Sequence, residues 1–189
     1  MKRAISTRLI SGLILWLAVT HAAGQQPREA FVVESANTQL DETIYFLNAV
    51  FSIHLPDYIA RAVDQGFDLP VALEIEVHRE RNLWFDQRVV YIRHKYRLSY
   101  HSLLDEYSLL DVNAGLRSYF SSLEKAVSQL SVILHYPAVD KNTLAPGESF
   151  SIRCRIGIDG NEIPIPLKSS SLWKNDWELR SEWFEWRLH

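Results

Sequence analysis

Alternation of apolar and polar side chains, residue by residue, most limits what this chain can fold into. From Val71 to His78 the odd positions are Val71, Leu73, Ile75 and Val77, with Glu74, Glu76 and His78 on the other side. From Arg88 to Tyr100 the even positions read Val90, Ile92, His94, Tyr96, Leu98 and Tyr100, opposed by Arg93, Lys95 and Arg97. From Ser149 to Ile158, Phe150, Ile152, Cys154, Ile156 and Ile158 alternate with Ser151, Arg153 and Arg155. From Ile44 to Leu55 the odd set is Tyr45, Leu47, Ala49, Phe51, Ile53 and Leu55. Neighbouring side chains on a strand point to opposite faces, so each stretch reads as a half-buried strand of an antiparallel sheet with one wet face.

Shorter strands are expected at Ala30–Gln39, Tyr107–Val112, Leu116–Phe120 and Trp177–Leu188, with Asn113-Ala114-Gly115 as a turn between two of them. Pro164 and Pro166 lack the N–H that a central strand needs, so Asn161–Pro166 reads as an edge or connector. Two helices are expected. Pro56–Gln65 has Pro in its first turn and Gly66 just beyond its end. Ser121–Ile133 opens on the capping-box pattern Ser121-x-x-Glu124 and carries Leu123, Val127, Leu130 and Ile133/Leu134 as one stripe. The expected fold class is mainly β, an antiparallel β-sandwich-like arrangement with two short helices; a two-layer α+β fold is the alternative.

The N-terminus reads as an address rather than as fold. Lys2, Arg3 and Arg8 precede an apolar run from Leu9 to Val19, and Ala22-Ala23-Gly24 supplies small residues ahead of Gln25. A basic start, a short apolar run and a small-residue exit make a secretory signal peptide, residues 1–24, with cleavage expected after Gly24. The run is shorter than the ~20 residues that a spanning helix needs, and no later stretch is long enough. The expectation is one exported β-rich domain, residues 25–189, in the periplasm, with no transmembrane segment after signal removal. Loss of three cations leaves 17 Lys+Arg against 23 Asp+Glu, net −6. That balance offers no basic footprint for nucleic acid. The single Cys, at 154, excludes a disulfide framework and a Cys-rich zinc site.

Chemistry-bearing patterns are sparse. His54, His78, His94 and His101 match no metal-ligand spacing, and no Gly-x-Ser-x-Gly elbow or Gly-rich phosphate loop occurs. No catalytic residue, metal or cofactor is therefore assigned. A hydrolase would need His101 gathered with a Ser and an Asp. His94, on the apolar side of its strand, reads as a hydrogen-bonded core or boundary imidazole, and Cys154 as a small core residue. Glu74, Glu76 and His78 against Arg93, Lys95 and Arg97 suit a cross-strand charge ladder, which Arg153 and Arg155 would extend. The alternative is a cationic surface for an acidic partner. Trp84-Phe85-Asp86, flanked by Arg79, Arg81 and Arg88 between two strands, is the better candidate for recognition, because Trp and Arg are favoured at binding hot spots.

Several segments, taken together, resemble one bacterial family, "domain of unknown function 4390". They are Leu73-Glu-Ile-Glu-Val-His-Arg79, Trp84-Phe-Asp86, Lys95-Tyr-Arg-Leu-Ser-Tyr-His101, Phe120-Ser-Ser-Leu-Glu-Lys-Ala126 and Asp176-Trp-Glu-Leu-Arg-Ser-Glu-Trp-Phe-Glu-Trp-Arg-Leu188. The likeness runs over about residues 30–188 in unbroken order; Phe85 stands where the family often has Trp, and Arg187 where Pro is common. The resemblance implies export, no assigned activity, and genes beside a membrane sensor histidine kinase. The combined expectation is a non-enzymatic periplasmic accessory module. Its interaction surface would comprise Trp84, Phe85, Arg93, Lys95 and Arg97, and its partner would be a periplasmic or membrane protein such as a sensor-kinase ectodomain. A small-ligand or glycan-binding β-sandwich is the alternative, and a cavity lined by Trp173, Trp177 or Trp183 would favour it.

Overall fold

The computed structural model describes residues 30–81, 85–163 and 179–188. The strands, in chain order, are β1 (Phe31–Asp41), β2 (Ile44–Ile53), β3 (Leu69–Arg79), β4 (Gln87–His101), β5 (Glu106–Asp111), β6 (Leu116–Phe120), β7 (Val132–Asp140), β8 (Phe150–Ile158) and β9 (Phe184–Arg187), all of them expected except β7. They form a three-stranded sheet ordered β1-β2-β7 and a six-stranded sheet ordered β6-β5-β4-β3-β8-β9, with every pairing antiparallel. The fold is mainly β with two short helices, α1 (Asp57–Asp64) and α2 (Leu123–Leu130).

Register follows the apolar pattern. Val71, Leu73, Ile75 and Val77 of β3 sit opposite Ile158, Ile156, Cys154 and Ile152 of β8. On the other side they meet Tyr96, His94, Ile92 and Val90 of β4. The inward rows join Tyr45, Leu47, Ala49, Phe51 and Phe31 of the small sheet in one buried cluster. Full burial of a Leu or Ile contributes roughly 1.5–3 kcal/mol, so the rows β4-β3-β8 carry most of the cohesion. Cys154 lies inside this cluster, and burial pushes its thiol pKa up to about 12, which leaves it an inert apolar filler.

The second helix ends earlier than its apolar stripe suggested. Ser131 closes α2 with its hydroxyl on the Val127 carbonyl, and Val132 starts β7, which pairs with β2. The cap is Ser122, whose Oγ accepts from the Lys125 N–H, rather than Ser121. β7 was hidden because Ile133 and Leu134 continue a helical spacing and Pro137 argues against a strand. It is an edge strand, where Pro is tolerated, and it is irregular: His135 has φ of 53° and the register with β2 shifts. Part of the expected last strand, Trp177 and Glu178, and the prolines of Asn161–Pro166 lie outside the described residues, as do residues 1–24. The described part of that strand is aromatic on both faces. Trp186 turns inward and donates to Thr38 Oγ1 at 3.1 Å, whereas Trp183 lies outward over Arg153 and Arg155.

Gly157 marks the closest backbone approach. The chain at Leu179–Ser181 lies against β8, with Ile158 N donating to the Leu179 carbonyl and Ser181 N to the Ile156 carbonyl at 2.8 Å each. A Cβ at position 157 would overlap the Arg180 backbone and come within 2.6 Å of the Leu179 carbonyl oxygen. Gly157→Ala is expected to cost about 1–3 kcal/mol, because the obstacle is backbone and not a movable side-chain tip. Thermal unfolding followed by circular dichroism should show a lower Tm, by about 2–4 °C for each kcal/mol lost. An unchanged Tm would mean that the 179–181 segment does not lie against β8.

Candidate functional site

The outer face of the large sheet is where the alternating charges meet. β3 lies between β4 and β8, so Glu74 faces Arg93 on one side and Arg155 on the other, and Glu76 faces Tyr91 and Arg153. Arg155 Nε donates to Glu74 Oε2 at 2.5 Å, and the Tyr91 hydroxyl donates to Glu74 Oε1 at 2.9 Å. Glu76 accepts from Arg88 at 2.8 Å, from Arg153 at 2.9 and 2.7 Å, and contacts His78 Nε2 at 2.7 Å. This is the cross-strand ladder, with Arg153 and Arg155 extending it. It is not the wet face expected of the sheet: Glu74 and Glu76 are only 8% and 4% exposed. Trp183 covers both arginines, with guanidinium carbons 4.5 and 4.2 Å from its ring centroid.

Burial alone would raise the Glu76 pKa, but the hydrogen bonds from His78, Arg88 and Arg153 outweigh it and hold the pKa at about 2. Burial also opposes ionisation at Glu74, where Arg155, Tyr91 and Arg93 again win and lower the pKa.

The cations proposed for recognition are engaged within the chain. Arg93 Nη2 lies 2.5 Å from Asp159 Oδ1, Lys95 Nζ lies 2.6 Å from Glu162 Oε1, and Arg97 Nη2 lies 3.6 Å from Glu162 Oε2. Asp159 and Glu162 follow β8, and nothing in their sequence position announced the pairing.

Phe85 presents the opposite case. It sits in the β3–β4 connection, next to Asp86, and is 96% exposed. The base of that hairpin is braced: Arg79 donates to Glu148 at 3.0 Å, Arg79 and Arg81 both reach Gln87 Oε1, and Arg81 N donates to Asp86 Oδ1 at 3.1 Å. Val89 and Tyr91 are also exposed on the strand leading from it, and Arg88 stacks over the Tyr91 ring at 4.9 Å. Trp84 lies outside the described residues. Gln87 and Arg97 are separated by about 33 Å of extended strand, so the hairpin tip and the far end of the Arg93/Lys95/Arg97 row are not one spot.

Two further arrangements bear on chemistry. His101 Nε2 lies 2.8 Å from Ser108 Oγ, but no Asp among the described residues joins them; Arg117 donates to the same hydroxyl at 3.0 Å, and Ser108 is fully buried. A substrate has no path to that oxygen. Among the described residues, no group of three or more His, Cys, Asp or Glu is placed to hold a metal ion.

The second arrangement surrounds His94, which does sit at the core boundary. Its Nδ1 is 3.1 Å from the Tyr136 hydroxyl, and its Nε2 is 2.8 Å from Asp111 Oδ1. These residues line a groove of about 840 Å³ between β7, α2 and the inner face of β4–β6. Sequence reasoning missed Asp111 and Tyr136. A signal existed for Asp111: with Tyr107 and Leu109 it shares the inward parity of β5, where a carboxylate is out of place. Of the tryptophans tied to the ligand-binding alternative, Trp173 and Trp177 lie outside the described residues, and Trp183 is spent on the arginines.

These features define a two-sheet antiparallel β protein with an ion-paired outer face, an exposed aromatic hairpin tip and a polar groove under one edge. The family described as Domain of unknown function (DUF4390) matches residues 28–187, and the chain belongs to it. No curated protein and no solved structure matches the chain.

Acid stability should report the ladder directly. A carboxylate whose folded pKa is depressed stabilises the fold fully above its ordinary value and loses that contribution as pH falls through the folded pKa. For Glu76 the window runs from its ordinary 4.5 down to about 2. Glu76→Gln should be less stable at neutral pH by about 1–3 kcal/mol, with the difference from the parent shrinking as pH falls through that window. Urea unfolding at a series of pH values measures this, and a difference independent of pH would refute the assignment.

Proposed function

We propose that this chain is an exported, periplasmic accessory module that acts by binding another protein and performs no chemical step of its own. The β3–β4 hairpin end would be the primary contact. The observation that carries this reading is Phe85, an almost wholly exposed aromatic held at the tip of a hairpin whose base is locked by Arg79, Arg81, Gln87 and Glu148. An aromatic anchor on a preorganised support, with arginines around it, has the make-up of a binding hot spot: little conformational freedom is lost when a partner closes over it. Trp84, next in the chain, would enlarge the same contact.

Export is supported by the Lys2–Gly24 pattern. The resemblance to a family whose genes accompany a membrane sensor histidine kinase makes that kinase's ectodomain the partner to test first. The Arg93, Lys95 and Arg97 face would serve as a secondary contact, reached by exchanging Glu162 or Asp159 for a partner's carboxylate. Exchange is inexpensive for the part-exposed Glu162 pairs, where a surface ion pair is worth about 0–1 kcal/mol, whereas Asp159 is buried and its pair with Arg93 resists exchange.

A photocrosslinking residue at position 85, in the producing cell, should capture one dominant protein. The same residue at Leu103, exposed on the β4–β5 turn at the opposite end of the sheet, should not. Phe85→Asp should cut recovery of that protein at least ~10-fold, the size of a hot-spot loss. Lys95→Glu with Arg97→Glu should weaken it further. Identical adducts from positions 85 and 103, or none from either, would end this reading.

A further inference from the structure

Among the described residues the small sheet has three strands and the large sheet six, so those strands do not fully roof the inner face beyond β4. The His94 groove opens there. Tyr96 of β4 sits directly across from Asp111 of β5, and the His94 ring lies 4.8 Å from that of Tyr96 and 5.1 Å, edge-on, from that of Tyr136. Two phenols and an imidazole thus surround one carboxylate. Asp111 Oδ1 accepts from the backbone N–H groups of Asn113 and Ala114 at 3.0 and 2.9 Å. It also lies 2.8 Å from His94 Nε2, but too far off line for a hydrogen bond, so Nε2 is buried without a hydrogen-bond partner.

No Lys or Arg pairs with Asp111 among the described residues, whereas Glu74, Glu76, Asp159 and Glu162 each hold at least one. Lys125 also lines the groove, but its Nζ is donated to Ser121 Oγ at 3.0 Å. The carboxylate field is felt by both phenols. Burial raises the pKa of Tyr96 and of Tyr136, and Asp111 raises each further.

We infer that this groove receives an Arg or Lys side chain of a partner polypeptide, with the cation against the Tyr96 and Tyr136 rings and paired to Asp111. Aromatic faces beside a carboxylate attract a cation both through the ring quadrupole and through charge. The occupant is a polypeptide rather than a small ammonium ion for two reasons. The groove, at about 840 Å³, is far larger than one cationic headgroup. Its apolar rim, Val132 and the 70% exposed Leu134, offers contact to residues flanking the cation. This inference deepens the interaction-module reading by naming the chemistry of a second contact, remote from Phe85.

The test uses the purified exported chain and the peptides acetyl-Gly-Leu-Xaa-Leu-Gly-amide, where Xaa is Arg, Lys or the neutral arginine isostere citrulline. Binding is measured by calorimetry and by the ring-proton NMR shifts of Tyr96 and Tyr136. The Arg and Lys peptides should bind at least ~10-fold more tightly than the citrulline peptide, with loss of that preference between about 50 and 500 mM salt. Asp111→Asn, which keeps an oxygen for Asn113 and Ala114, should abolish the preference; if that variant fails to fold, Tyr136→Leu should reduce it. Equal binding of all three peptides, no binding of any, or a preference that survives Asp111→Asn would overturn the inference. Ethylguanidinium binding as tightly as the Arg peptide would also overturn it, by removing the need for a polypeptide. Crosslinking from position 85 does not involve the groove, so failure here leaves the hairpin contact standing.

Discussion

Two carboxylates on one central strand set the terms for the large sheet. Glu74 and Glu76 share β3 with Val71, Leu73, Ile75 and Val77, so the strand must bury its apolar face while its other face is crowded by neighbours on both sides. Carboxylates that are nearly dry are tolerable only with cations and hydrogen bonds around them. β4 supplies Arg93, Tyr91 and Arg88, and β8 supplies Arg153 and Arg155. A slip of one residue in either pairing would turn these side chains into the core and the isoleucines outward. The ladder therefore adds specificity of register to a sheet whose stability comes from the opposite face. It also explains Trp183, which caps the two arginines that Glu74 and Glu76 hold in place.

The unequal size of the two sheets has a different consequence. β1 of the three-stranded sheet packs against β8 and β9, while α1 packs against β4 and α2 against β5 and β6. Helices of eight residues cannot tile that area as a sheet does, and the uncovered ground carries His94, Tyr96 and Asp111 where leucines would otherwise stand. Polar side chains on an inward-facing row are costly unless water or a guest reaches them. The groove supplies that access.

Much of this was legible in the sequence, for a definite reason. Period-two alternation is a local signal, and the strands of the large sheet obey it from Val71 to Ile158. The β7 strand was not legible, because its information lies in its partner. Val132–Asp140 becomes a strand by pairing with β2, and its irregularities at His135 and Ala138 spoil the alternation that would have revealed it. The wet-face expectation failed for a related reason. Alternation tells which side chains oppose the core, but whether that second face is open depends on which strands lie beside it and on what crosses above. The ion pairs of Lys95 and Arg97 with Glu162, 67 residues further along the chain for Lys95, are likewise a product of topology alone.

Those pairings change how the charged face should be weighed against the hairpin tip. A cation already held by Asp159 or Glu162 gains from an acidic partner only the difference between two similar contacts, less the desolvation of both. Phe85 breaks no ion pair when covered and gives up only rotamer freedom, since it touches solvent over almost its whole surface. Burying such a ring returns roughly 1.5–3 kcal/mol from area alone. Asp111 stands between these cases: charged like the ladder residues, yet without a Lys or Arg of its own, so that an incoming cation would displace no existing salt bridge with a permanent cation. On the proposed reading, recognition on this scaffold would therefore fall to the places that the ladder leaves unfinished.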